Sequence, residues 1–501
     1  MLIELRAPDR LRGPRAMDLT PVVAAVLDAA RDSAADLSRL RVTCDWVQYK
    51  GSFREPVMLR RIEPSAYDAA QASRDITANG GGDRHAHELA IDLRRATSAD
   101  LKQRILTALT MPEERRNACR VYLEPWGPGR ASIIWSFNAL YWRALGLWER
   151  ASGREYEQAL PGGESDARNA SSARELIERL FEVWDELAAR RALSDELYVL
   201  ELGVGNGNQA RVWLDEFARL DRDRGRDYYR RLNYLMADYS PHVLDRARAA
   251  LLDHSDRISS LVLDAVQPTQ TLGFLRYKVS LVYISNVYDN LPTDEIARLG
   301  GHLYHVQVRA FLPLEAADRI AAKHNLRPED LPEQIARLLR LGPELLSEAA
   351  SDTFPTTLAA VEFWRDAWSD LRLDERYIPI EGLDTYQVVP GVSGEILRPL
   401  VESNGDLRAH VSNGAATSFV DTLALLHPHG WITCHDLFLT DLQQYQTAFR
   451  GPGKYDGSVV NWVNGPLLVA LGRRHGYDIT FEPFGHRQDS NVLTLTTHPL
   501  E

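Results

Sequence analysis

Residues 197–214 read LYVLELGVGNGNQARVWL. The first six form an apolar run of strand length that ends in Glu201 and Leu202. Gly203, Gly205 and Gly207 follow at alternate positions, and a helical pattern begins near Asn208. Glycine tolerates positive φ and lets a ligand approach the main chain closely. The start of the following helix adds free N–H groups. Strand, glycine turn and helix in that order open a nucleotide-binding α/β unit. A dinucleotide loop of the G-x-G-x-x-G type needs its third glycine where Asn208 stands, which weighs against a pyrophosphate ligand.

The pattern repeats outward from this loop. NYLMAD (233–238), ISSLVLD (258–264) and VSLVYIS (279–285) are further apolar runs with helical segments between them. Such alternation predicts a parallel sheet with right-handed crossovers, and continuous apolar runs suit a sheet covered on both faces. Asp238 ends the second run and Asp264 the third, while Ser240–Pro241 opens a helix with proline at its first position. Residues 300–425 interrupt the alternation with a helical pattern at 331–350 and strand character near 378–389. That is too long for a connection and predicts a cap subdomain. GWITCHDL (430–437) resumes the sheet, and YDITFEPF (477–484) with NVLTLTTH (491–498) predicts an antiparallel pair.

Residues 1–190 read as a mostly helical domain. Helical spacing recurs at 21–40, 98–110 and the aromatic-rich 132–150, where Ile133, Phe137, Leu140 and Tyr141 share one face. NGGGD (79–83) reads as a loop and LPGGESDARNASS (160–172) as a linker, followed by a helix from about 172 to 191. The expected domains are therefore 1–190, a first core part at 191–299, the insertion at 300–425 and the remaining core strands at 426–501.

A chain of 501 residues, 45% hydrophobic and 26% charged, has globular composition. Its net charge of −12 disfavours non-specific nucleic-acid binding, so no nucleic-acid partner is expected. Cys44, Cys119 and Cys434 form no CxxC pair, which argues against a disulfide framework or zinc site and fits a reducing cytoplasm. MLIELRAPDRLRGPRAMD lacks the apolar centre of a secretory signal. No run approaches the roughly 18 apolar residues of a membrane span, so neither export nor a membrane partner is expected. His410, His435 and His486 lack metal-ligand spacing, and no metal is expected. Ser393 in PGVSGE (390–395) does not sit in a hydrolase elbow. DRDRGRDYYRR (221–231) mixes signs and reads as a solvated helix end.

The spacing E-x-G-x-G-x-G at 201–207 resembles motif I of class I S-adenosylmethionine (SAM) methyltransferases. The resemblance implies a Rossmann-like α/β fold with a seven-stranded sheet, mostly parallel with an antiparallel C-terminal strand. It places Glu201 near the amino-acid half of SAM and wraps that half with Gly203, Gly205, Asn206 and Gly207. It further implies Asp238, Tyr239 and Ser240 at the ribose, Asp264 and Ala265 at the adenine, and Ser285 beside the donor.

Over about 195–500 the chain also resembles the MidA-like methyltransferases, relatives of the mitochondrial arginine methyltransferase of complex I assembly. DYSPHVLDRARAAL (238–251) matches their E-x-S-P-x-L stretch, and ISNVYDNLP (284–292) their N-E-F-F-D-A-L-P motif. LRAHVSNGAATSFVDTLALLHPHGWITCHDLF (407–438) matches the region leading into their fifth strand, and their long insertion between strands four and five is present. Residues 1–190 do not match. One position departs: setting Asp289–Asn290–Leu291–Pro292 on D-A-L-P puts Ser285 and Asn286 on the N-E pair, so the family's Glu is Asn286 here. A guanidinium suits carboxylates, so arginine methylation does not carry over directly.

The resemblance implies a SAM-dependent enzyme that methylates a nitrogen or oxygen acceptor, in a protein arginine or a specialised small molecule, and releases S-adenosylhomocysteine (SAH). Asn286 would orient the acceptor, and Asp289 or Asp436 would receive or balance its proton. Tyr288 and Trp462 are candidate acceptor-pocket aromatics. Two other readings compete: a SAM-binding scaffold without turnover, suggested by Asn286, and an NAD(P)-dependent oxidoreductase.

Overall fold

The apolar runs after residue 197 form one sheet in the computed structural model, which describes residues 2–6, 16–33, 36, 39–65, 86–96, 100–156, 170–486 and 490–500. The strands are β1 (Leu197–Leu202), β2 (Leu232–Asp238), β3 (Ile258–Val262), β4 (Val279–Ser285), β5 (Leu426–Asp436), β6 (Tyr477–Pro483) and β7 (Leu493–Pro499). Their order is β3-β2-β1-β4-β5-β7-β6. β7 runs antiparallel to both its neighbours and the other pairings are parallel.

This sheet belongs to a compact unit of Asn138–Leu291, Ser412–Thr440 and Val463–Glu501. Its helices include α1 (Ala170–Ala189), α2 (Asn208–Asp223), α3 (Pro241–Ala250), α4 (Asn413–Leu423) and α5 (Gly465–Arg474). Ile177, Phe181 and Trp184 of α1 join Trp213 and Phe217 of α2 in one core with Val199, Tyr234, Leu281 and Trp431 of the sheet. The Trp184 indole N–H donates to Ser280 Oγ at 3.1 Å, so this buried aromatic has its polar atom paired. Truncating such a side chain to alanine costs about 3–5 kcal/mol.

The second unit takes Met1–Phe137, Pro292–Val411 and Asp441–Trp462. Its ten-stranded mixed sheet runs through Leu2–Arg6, Leu40–Asp45, Ala86–Asp92, Val57–Ile62, Arg372–Pro379, His302–Pro313, Glu295–Leu299 and Leu407–His410. Two short strands, Arg120–Tyr122 and Gly127–Pro128, pair with His302–Pro313. The mostly helical reading of 1–190 therefore fails over its first half. Helices do form at Thr20–Asp32, Leu101–Thr110, Ile133–Arg143 and Leu145–Ser152.

The missed strands share a physical cause: they carry charges in their buried interiors. Arg60 stands opposite Glu88 in register, with Nη1 2.7 Å from its carboxylate. Glu375 lies 2.6 Å from Arg60, 3.1 Å from Arg54 and 2.7 Å from Arg408. All of these side chains are buried. Burial alone would raise the Glu375 carboxyl, but Arg408, Arg54 and Arg60 outweigh it and hold it well below the usual range. A strand with such pairs inside shows no clean apolar run.

The insertion is not a separate cap. Its strand Arg372–Pro379 pairs in parallel with Val57–Ile62, so 300–425 shares a sheet with the N-terminal residues. The boundary near 190 gives way to the two discontinuous units above. The expected loop at 79–83 lies outside the described residues, as does the linker at 160–172 except for 170–172, which begin α1. Among the described residues no helix is long and apolar enough to cross a membrane.

Candidate functional site

The turn after β1 is built by three glycines in left-handed conformations, with φ of +76° at Gly203, +57° at Gly205 and +80° at Gly207. A Cβ at Gly203 would stand 2.4 Å from Val287 Cγ2, and one at Gly207 2.7 Å from Ala247 Cα on α3. A Cβ at Gly205 would meet the Tyr156 hydroxyl at 2.6 Å. Backbone strain and contact on both flanks thus restrict all three positions to glycine. Gly207 caps α2, and Asn206 Oδ1 accepts from the Asn208 N–H at 3.1 Å.

The turn is tied to β2. Gly203 and Val204 donate to the Ala237 carbonyl, at 2.7 and 3.2 Å. Half-buried Asp238 accepts from the Gly205 N–H at 3.4 Å and from the Ser240 N–H at 3.0 Å. Burial pushes its carboxyl up to about 6, against those N–H donors. Glu201, 2% exposed, accepts from Tyr234 Oη at 2.6 Å. Burial drives its carboxyl up to about 8, with Asp238 adding to the rise and Tyr234 opposing it. The expected residues Glu201, Gly203, Gly205, Asn206, Gly207 and Asp238 are thus brought together.

Other expected positions differ. Ser240 is fully buried, and its hydroxyl accepts from the Val243 N–H at 3.3 Å, so it caps α3 rather than facing a ligand. Tyr239 is exposed. β3 ends at Val262, which leaves Asp264 exposed two residues beyond it with a carboxylate oxygen on the Val266 N–H at 2.9 Å. Ala265 is half-buried.

At the β4 tip, half-buried Ser285 lies in register with His435 of β5. Asn286 adopts φ +52° and donates its N–H to the His435 carbonyl at 2.9 Å. Asp436 is fully buried. Its Oδ2 accepts from the N–H groups of Val287, Tyr288 and Asp289 at 3.1, 2.7 and 3.4 Å, and its Oδ1 from Leu437 at 2.7 Å. Burial still raises it to about 6. Burial first, and the adjoining Asp436 second, raise Asp289 well above the carboxylate range, while Asn290 Nδ2 donates to it at 2.6 Å. The two carboxyls form a buried pair that shares the raising effect of burial, and four main-chain N–H donors converge on Asp436. That pair ties the β4 tip to the end of β5. Tyr288 is buried at 1% exposure, and in the second unit Trp462 lies under the Arg450 guanidinium at 4.5 Å, as a packed aromatic.

Sequence reasoning missed Tyr156, Tyr234, Tyr283 and His435. Tyr234 and Tyr283 sit inside apolar strand runs and read as core, and nothing local marks Tyr156 as the neighbour of Gly205.

No family model matches the chain, and no curated protein matches it. Among solved structures it is similar to a Burkholderia thailandensis protein bound to S-adenosyl-homocysteine. That match has 13% identity and a TM-score of 0.44, and covers 77% of this chain and 89% of the other. It is also similar to the CcbJ methyltransferase from Streptomyces caelestis, with 11% identity, a TM-score of 0.28, and 66% and 90% covered. Likeness at this level defines neither family nor chemistry, so the residues of the site carry the functional reading.

Proposed function

We propose that the seven-stranded unit binds SAM on the 203–207 turn and transfers its methyl group to a nitrogen or oxygen acceptor. One observation carries this reading. Directly past a buried acidic strand end, three left-handed glycines make a turn in which a side chain on any of the three would collide with its surroundings. Such a cradle suits close main-chain contact with a ligand. Asp238 at the next strand end holds the turn through the Gly205 N–H and keeps lone pairs for ribose hydroxyls. Glu201, whose one close polar partner among the described residues is the neutral Tyr234 hydroxyl, gains a cation from the ammonium of the ligand's amino-acid half.

The bound donor supplies a methyl group already activated by its sulfonium. The chain contributes alignment, worth several kcal/mol when the reacting atoms are held in line. Asn286 orients the acceptor from a β4 tip that is locked to β5 through its own N–H. A second reading, a SAM-binding scaffold without turnover, draws support from the commitment of Asp289 and Asp436 to the turn.

Thermal shift separates the ligand classes: SAH raises the melting temperature and NAD does not. Stabilisation by NAD alone refutes the donor reading. Incubation with methyl-labelled SAM and cell extract separates enzyme from scaffold by whether label enters any acceptor.

A further inference from the structure

We propose that His435 accepts the proton of the methyl-accepting atom, that Tyr283 and Ser285 position that atom, and that the acceptor is a neutral O–H or N–H group. This rests on the donor reading above and names the substrate side of the same site.

The four side chains are set by register. On β4, Tyr283 pairs with Glu201 of β1, and Ser285 pairs with His435 of β5. Residues two apart on a strand share a face, so Glu201, Tyr283, Ser285 and His435 line one face at the carboxyl ends of β1, β4 and β5. Ligands of open α/β sheets lie at those ends. His435 and Tyr283 are each 3% exposed, with ring centroids 5.4 Å apart. The His435 ring also packs on Phe484 at 4.8 Å, and its Nδ1 lies 2.9 Å from Thr494 Oγ1. Among the described residues, His435 Nε2, Tyr283 Oη and Ser285 Oγ have no hydrogen-bond partner.

Buried polar atoms are normally paired. Three unpaired ones on adjoining strands, beside the carboxylate assigned to the donor, are the imprint of a polar group that arrives with substrate. In the tautomer whose Nδ1–H donates to Thr494 Oγ1, Nε2 presents a lone pair, and the two hydroxyls offer a donor each. Around the imidazole stand Tyr283 on β4, Glu201 beyond it on β1, Asp436 next along β5, and His486 with its partner Glu175 at 3.2 Å. Burial, and then His486, lower the imidazole to about 4, so it is neutral at neutral pH and does not repel a sulfonium.

The acceptor oxygen or nitrogen forms its bond to the methyl carbon while the carbon–sulfur bond breaks, its electron pair remaining on sulfur. The acceptor's proton passes to Nε2 and later to water. A weak base suffices for a hydroxyl or an amide-type N–H, because the oxonium or protonated amide formed on methylation is strongly acidic; an amine, whose methylated form is an ammonium, does not need this base. A guanidinium fits poorly here, since Glu201 serves the donor and Asp289 and Asp436 serve the turn.

The test uses the full chain with three readouts: SAH binding by calorimetry, transfer of label from SAM into cell extract, and histidine ¹⁵N resonances at pH 7. His435→Asn is expected to bind SAH within about threefold of wild type and to lose at least about 100-fold in transfer. In wild type, Nε2 is expected to read as unprotonated. Tyr283→Phe removes only an unpaired hydroxyl, so it is expected to bind SAH normally and transfer about tenfold more slowly. It decides the matter if His435→Asn does not fold. Transfer within threefold of wild type in the folded variants, or a protonated Nε2, overturns the proposal and leaves the donor reading standing. Failure of wild type to bind SAH overturns the donor reading itself, and binding without labelling overturns transfer and this proposal together.

Discussion

Replacing Glu201 with glutamine isolates one ionisation at the heart of the site. In the free protein burial, with Asp238 adding to it and the Tyr234 hydroxyl opposing it, pushes the carboxyl up to about 8. A ligand ammonium requires the carboxylate. At pH 7, ionising this group costs about 1.4 kcal/mol, a factor of about ten in affinity. The ionised fraction rises from roughly 1% at pH 6 to roughly 10% at pH 7, half at pH 8 and nine-tenths at pH 9. Wild-type SAH affinity is therefore expected to improve about ninefold from pH 6 to 7, about fivefold from 7 to 8 and less than twofold above that. Binding at pH 7 should release about 0.9 proton, read by calorimetry in buffers of different ionisation heat. SAH's own groups titrate equally with both proteins, so the difference between wild type and Glu201→Gln belongs to Glu201. Identical pH slopes in the two proteins would refute the assignment of Glu201 to the ligand's cation.

Gly205→Ala forces a side chain into φ +57° and onto the Tyr156 hydroxyl, so SAH binding should weaken at least about tenfold by calorimetry, with partial recovery in Gly205→Ala/Tyr156→Ala. Glu375→Gln leaves Arg54, Arg60 and Arg408 without their shared carboxylate and should destabilise its unit by about 3–5 kcal/mol in denaturant titration. Stability should also shift oppositely with pH in the two units. Glu201, Asp238 and Asp436 are raised in the fold, so their contribution is present below the ordinary carboxylate range and is lost as pH climbs through about 6 to 8; Asp289, raised well above that range by burial and Asp436, loses its contribution in the same direction. Glu375 is depressed, so its contribution is present above that range and is lost on acidification. Scanning calorimetry without ligand should show the SAM-site unit weakening from pH 6 to 9, less so in Asp289→Asn.

The sheet of the proposed SAM unit was legible because its strands are covered on both faces and Glu201, Asp238 and Asp436 fall at or next to strand ends, where an apolar run stops visibly. Glu201 and Asp238 could be placed from that signal alone. Ser240 could not, because a ligand-facing serine and a helix cap look identical in sequence, and the bond to the Val243 N–H decides between them. The second sheet was hidden for a different reason. Pairs such as Arg60 with Glu88 are apolar in effect once neutralised, yet each strand alone reads as charged. Its long-range pairing, Val57–Ile62 beside Arg372–Pro379, has no local trace. Tyr283 and His435 were obscured because a buried ring with an unpaired tip carries the same periodic signal as core.

Asp436 joins two strand tips that are distant in the chain. β4 and β5 are sheet neighbours, yet the Val287 N–H and the carboxylate it donates to are 149 residues apart in sequence. Closing a loop of that length costs about 4–5 kcal/mol of chain entropy. Two short N–H bonds to a charged carboxylate, at 3.1 and 2.7 Å, supply about 1.5–3 kcal/mol each. The pin at the strand tips therefore offsets much of that cost at the point where the chain leaves the sheet. It also reaches the glycine turn, because Val287, whose N–H it holds, is the residue against which Gly203 packs. Asp436→Asn replaces one acceptor oxygen with an N–H donor facing main-chain N–H groups. It should lower stability by about 2–4 kcal/mol and weaken SAH binding through the displaced turn. A direct proton-handling role predicts instead a variant that melts and binds SAH like wild type and fails only in transfer, and that result would return Asp436 to the chemistry.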